Sequence, residues 1–103
     1  MLRLGEDPKT RLLIADTGHY IFRDFVEKFP QQFYNVGIAE ANLAGVAAGL
    51  ALSGEIPFVY SIGSFYARCY DQIRVDLCYN NTNVKLVAVG AGLSYGTMGP
   101  THH

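Results

Sequence analysis

Residues 35 to 49 read Asn-Val-Gly-Ile-Ala-Glu-Ala-Asn-Leu-Ala-Gly-Val-Ala-Ala-Gly. One carboxylate, Glu40, stands at the mouth of a segment built almost wholly from Ala, Gly, Leu and Val. The small-residue run continues to Leu52 and meets Ser53-Gly54, a stop signal, which predicts a helix over 39–52. Nothing local neutralises the charge, since the nearest basic side chain in sequence is Lys28. A carboxylate is costly to bury unless something pairs with it. Two readings follow. Glu40 is a helix-start carboxylate favoured by the macrodipole and partly solvated, or it is kept there for chemistry.

Outward from this helix, strands and helices alternate. Upstream, residues 11–15 form a short apolar run closing in Asp16-Thr17-Gly18, read as a strand ending in a loop. Ile21, Phe22, Phe25, Val26 and Phe29 then recur at helical spacing before Pro30, predicting a helix over 20–29. A short second strand is expected over 33–36. Downstream, 57–62 reads as a third strand and 65–79 as a third helix, with Ile73, Leu77 and Cys69 or Tyr70 on its apolar side. The nearly unbroken apolar run 84–89 reads as an inner parallel strand covered on both faces. This order predicts an α/β fold: a parallel sheet with helices on both faces and right-handed crossovers. Sites in such sheets lie at the carboxyl ends of the strands. Segments 16–19, 37–40, 61–65 and 90–103 share that edge, which favours the chemical reading of Glu40. The sequence closes inside a Gly-rich loop after the fourth strand, so an incomplete sheet is expected, as in a fragment or a split gene product.

The 103 residues suffice for one small domain, residues 1–103, with no linker or repeat. The formal net charge of −1 offers no basic field, so nucleic acid is not an expected partner. The apolar run 43–52 is only ten residues long, against about 20 for a bilayer span, so no membrane is expected either. Cys69 and Cys78 form neither a metal pair nor a redox motif, which fits a reducing, cytoplasmic setting.

Three stretches together resemble the transketolase family: 33–52 with its Gly-Ile-Ala-Glu, the run Tyr70-Asp71-Gln72-Ile73-Arg74, and the tail Gly99-Pro100-Thr101-His102. More narrowly, the chain looks like the pyrimidine-binding domain found in separate C-terminal subunits, over about residues 13–103. The resemblance implies thiamine-diphosphate-dependent transfer of a two-carbon ketol unit, with the cofactor bound between two chains. A diphosphate-binding partner holds Mg²⁺ and the phosphates, and this domain supplies a carboxylate. That carboxylate would be Glu40, hydrogen-bonded to N1′ of the aminopyrimidine. The interaction favours the imino tautomer, whose 4′-nitrogen takes the proton from thiazolium C2. Apolar surroundings suit a carboxyl that shares a proton with a weakly basic ring nitrogen.

The resemblance assigns further positions. Phe65 would stack on the pyrimidine, although Ile62 stands where many members have an aromatic, so the role could fall to Tyr66 instead. Otherwise Phe65 is a core residue at a helix start. Arg68 would lie near a substrate phosphate; the plain alternative is a surface pair with Asp71. His102, in Gly-Pro-Thr-His, would contact substrate oxygens around the reacting carbon. Asp16 would lie near the cofactor or cap the next helix, and His19 shares its loop and would face substrate. Gly45 and Gly49, with Ala41, Ala44 and Ala48, make a small-residue strip, for packing on a subunit mate, on its own sheet, or both. Met98 is the sharpest departure. Many sugar-using members carry Asp there, facing a substrate hydroxyl, so an acceptor other than the standard 2-hydroxy-aldehyde is expected. The family's diphosphate signature, Gly-Asp-Gly followed by Asn-Asn, is absent; Asn80-Asn81 lacks the upstream half. The chain is therefore expected to be inactive alone and to work in a homo- or hetero-oligomer on a small sugar-like substrate. The alternatives are a non-catalytic interaction or regulatory subunit derived from the same domain, and a β-chain-like part of a 2-oxoacid dehydrogenase.

Overall fold

The computed structural model describes residues 2–103. Four strands, β1 (Thr10–Ile14), β2 (Phe33–Asn35), β3 (Ile56–Ile62) and β4 (Lys85–Val89), form one sheet in the order β2-β1-β3-β4. Every pairing is parallel: Leu13 sits opposite Tyr34 on one side and Val59 on the other, and Val59 in turn opposite Leu86. Two helices flank the sheet, α1 (Arg23–Lys28) and α2 (Glu40–Leu52).

Strand side chains alternate between faces, and β1 sorts its apolar residues accordingly. Leu12 and Ile14 join Phe22, Phe25 and Tyr60 in one cluster, under α1. Leu13 and Ala15 join Leu43, Ala47 and Val59 in the other, under α2. The sheet is thus covered on both faces, as the alternation of elements predicts. Parallel strands with such connections bring their carboxyl ends to one edge, and the loops after β1, β2, β3 and β4 all open there.

Three local expectations need correction. The helix expected over 20–29 is a 3₁₀ turn, His19–Phe22, followed by α1, and a new 3₁₀ turn opens at Pro30. The helix expected over 65–79 is three pieces: 3₁₀ turns over Gly63–Cys69, a short α3 (Tyr70–Gln72) and a π-helical stretch, Ile73–Tyr79. Its anchors explain this. Tyr66 and Cys69 both point inward three residues apart, the spacing of a 3₁₀ turn, whereas Asn80 N–H donates back to Val75 and Thr82 N–H to Leu77, five residues each. Finally, among the described residues β4 stands at the edge of the sheet, beside β3 alone, with Leu86 38% exposed.

Candidate active site

Glu40 opens α2 and is buried, at 6% exposure. Among the described residues its carboxylate makes no hydrogen bond or ion pair, and its oxygens are not among the fully shielded polar atoms, so the side chain is largely buried while the carboxylate keeps contact with solvent. The loop before it is braced from β2. Asn35 Oδ1 accepts from the N–H groups of Asp16 (2.9 Å) and Gly37 (3.0 Å), and Asn35 Nδ2 donates to Asp16 Oδ1 at 3.2 Å. One side chain thereby ties the loop after β1 to the loop that leads into Glu40. The sequence reading passed over Asn35; the available signal was an Asn two residues ahead of a Gly, the pattern of an Asx turn.

Asp16 does not cap the following helical turn, where no side-chain cap bond forms. It sits exposed in a left-handed conformation (φ 61°), held by Asn35.

The turn after β3 carries the next group. Phe65 is half-buried, and its ring meets the His102 ring edge-on at 5.1 Å. The tail therefore folds back over the β3 turn and brings His102 to the same edge of the sheet. Tyr66, the alternative stacking residue, is committed elsewhere. Its hydroxyl donates to Val59 O at 2.8 Å and lies 3.3 Å from Val87 O, and its ring packs on the α2-side core. Burial pushes the Tyr66 phenol well above its ordinary range, with the neighbouring Cys69 adding to the shift. Burial also raises the Cys69 thiol, and the Glu40 carboxylate raises it further. Ser61, fully buried near the end of β3, and Ser64, in the turn, each have a buried hydroxyl oxygen with no hydrogen-bond partner.

Two predicted residues stand apart. Arg68 is exposed and does not pair with Asp71, which is taken by Arg74 at 2.7 Å. His19 is exposed on the α1 side, where its ring meets Tyr20 and Phe33 edge-on and lines a surface pocket of about 160 Å³ with Arg23, Val26 and Glu27. The small-residue strip divides: Ala44 and Ala48 are buried in the chain's own core, while Gly49 is exposed with open space at its Cβ position. Met98 is 55% exposed in the turn ahead of Pro100. Among the described residues no group of three or more His, Cys, Asp or Glu is placed to hold a metal ion, and no helix is long and apolar enough to cross a membrane.

A parallel sheet with an unpaired carboxylate, an aromatic turn and a histidine tail at one edge defines the class to which comparison points. The model of the transketolase pyrimidine-binding domain matches residues 3–103, and the chain belongs to that family. It is 49% identical over 80 residues to one of the subunits of the apulose-4-phosphate transketolase of Actinobacillus succinogenes, covering 77% of this chain and 26% of that one. It is 47% identical over 79 residues to the 1-deoxy-D-xylulose-5-phosphate synthase of Syntrophus aciditrophicus, covering 77% of this chain and 12% of that one. Among solved structures, a split-gene transketolase described as an inactive beta4 tetramer superposes with a TM-score of 0.77 at 46% identity, covering 84% of this chain and 30% of that one. The chain spans about a quarter or less of the length of these two curated relatives.

Proposed function

We propose that this chain supplies the pyrimidine side of a thiamine-diphosphate site in a transketolase-type transferase, completed by a diphosphate-binding partner. The observation that carries the reading is Glu40: a largely buried acidic residue whose carboxylate has no hydrogen-bond or ion-pair partner among the described residues, on the sheet edge where such folds bind ligands. A carboxylate open at such an edge can take a partner, and a cofactor that arrives with a second polypeptide would provide one. When bound, thiamine diphosphate supplies a nucleophilic thiazolium carbon that carries the two-carbon unit.

The residues present fit the pyrimidine half of that group. Glu40 would hold a ring nitrogen and share a proton with it, oriented by the helix it opens. Phe65 offers a half-buried aromatic surface for a flat ring. The unpartnered Ser64 hydroxyl beside it is a candidate for a ring amino group. Asp16, pinned by Asn35, would stand at the chain–chain contact. His102 would face the substrate end, and Arg68, free and exposed, would take a substrate phosphate; His19 would stand further out. The diphosphate and its Mg²⁺ are assigned to the partner. The two-carbon unit would be transferred between phosphorylated sugars, and the sugar phosphate in the A. succinogenes relative's name is the first donor to try. With Met98 exposed in place of an acceptor for a substrate hydroxyl, the acceptor would be one other than a 2-hydroxy-aldehyde.

Exposed apolar side chains crowd the same edge. Ile38 precedes Glu40, and Leu93 follows β4. Such a rim suits a partner that closes the site against water. A solved relative described as an inactive beta4 tetramer of a split-gene transketolase accords with a site that needs a second chain.

The test is Glu40→Gln in the complex reconstituted with a diphosphate-binding subunit. Glutamine keeps the shape and loses the shared proton. Ketol transfer should fall at least about a hundredfold, the scale of a lost general acid–base group, with assembly intact by sizing chromatography. Unchanged activity would favour the scaffold-subunit alternative.

A further inference from the structure

The tail holds an aromatic contact beyond those of the proposed site. Tyr95 is half-buried, and its ring meets the His102 ring edge-on at 5.9 Å, on a histidine that already meets Phe65 at 5.1 Å. Two aromatic rings therefore hold one imidazole.

The chain makes room for Tyr95 at Gly90, the first residue after β4. A Cβ on Gly90 would fall 1.9 Å from Tyr95 Cε2, and the residue adopts φ +61°, a conformation that L side chains rarely take. The tyrosine ring occupies the space a side chain at position 90 would fill. The Tyr60 phenol is raised first by burial and then by Tyr95. The turn itself is closed by Gly96 N–H to Leu93 O at 3.0 Å and Met98 N–H to Tyr95 O at 2.8 Å.

We propose that Tyr95, seated on Gly90, is a positioning residue that sets the His102 imidazole against Phe65 at the substrate end of the site. The proposal rests on the functional reading above only for what His102 does. Where His102 sits is a property of this chain alone. The ring, not the hydroxyl, does the positioning, because edge-on aromatic contact needs only the π face and the ring edge.

The experiment is NMR of imidazole-labelled protein on the full 103-residue chain without cofactor, joined to kinetics in the reconstituted complex. In the unaltered chain, cross-relaxation between the Tyr95 and His102 rings is expected; its absence overturns the proposal without any variant. Tyr95→Leu should move the His102 ring resonances toward those of an unstructured histidine, and Tyr95→Phe should leave them in place. Gly90→Ala should reproduce the Tyr95→Leu spectrum by displacing the ring from its seat. Resonances unmoved in both Tyr95→Leu and Gly90→Ala, with the remaining spectrum native, also overturn it. In the complex, Tyr95→Leu should raise the KM for sugar substrate or lower kcat by up to about a hundredfold, the effect of misplacing a contact group by about 1 Å, while Tyr95→Phe restores both. A positive NMR result with no kinetic effect would leave the positioning intact and remove His102 from the substrate site. Loss of activity in Glu40→Gln is a separate readout of the site itself.

Discussion

Glu40 and Tyr66 show how two buried polar groups in one small protein come to opposite ends. Tyr66 is satisfied at home: its hydroxyl reaches the backbone carbonyls of β3 and β4. Tyr66→Phe should therefore destabilise the chain by about 1 kcal/mol, read as a lower urea midpoint, since one buried hydrogen bond is lost. Glu40 has no such partner among the described residues, which leaves its carboxylate open to one from outside. Titration gives a second test. Cys69, Tyr60 and Tyr66 all hold their protons more tightly when folded, chiefly through burial. Between the ordinary and the raised value the unfolded chain has released protons that the folded chain keeps, so stability falls as pH rises. The loss should begin near pH 9.0 for Cys69 and near pH 10.0 for the tyrosines, with no contribution below. Cys69→Ala should remove the earlier part of the slope in urea titrations run from about pH 8 to 11. At this scale the motif residues were legible because they are few and chemically distinctive. Asn35, Tyr66 and Tyr95 were not. Asn35 left only an Asx-turn signal, and the contacts that Tyr66 and Tyr95 make are not encoded by any local pattern.

At the scale of elements, α2 is a helix of small residues with one face in the core and the other open. Ala44, Ala47 and Ala48 are buried against the sheet, so substitution there by larger residues overpacks it. Gly49 faces outward, and a Cβ there meets nothing. Gly49→Ala should stabilise the isolated chain by about 0.5–1 kcal/mol, the usual helix-interior difference, measured as a rise in Tm. If that open face seats a partner, the same variant should also weaken assembly. The helix was readable from composition and its Ser53-Gly54 stop. The segment after β3 was not, because periodicity near 3.6 cannot separate an α-helix from 3₁₀ and π turns that average to a similar pitch. There the pull of Tyr66 and Cys69 into the core decides the winding. β4 stands at the edge among the described residues although its run is apolar, since such a run records what a strand is built to contact, not which neighbours stand beside it here.

For the molecule as a whole, alternation of elements and a parallel sheet were enough to place every carboxyl-end loop on one edge. The apolar rim of that edge is its most telling feature. Ile38, 81% exposed two residues before Glu40, contributes nothing to the chain's own core. Ile38→Ser should shift the stability of the isolated chain by no more than about 0.5 kcal/mol, yet reduce affinity for the diphosphate-binding subunit in calorimetry. An unchanged affinity would place the partner elsewhere. The direct measurement is a structure of the reconstituted complex with thiamine diphosphate bound. A Glu40 carboxylate oxygen should lie about 2.8 Å from a pyrimidine ring nitrogen, a hydrogen-bond distance. A Glu40 side chain turned to solvent, or salt-bridged to the partner with the pyrimidine held by other groups, would contradict the assignment of this chain to the catalytic half-site.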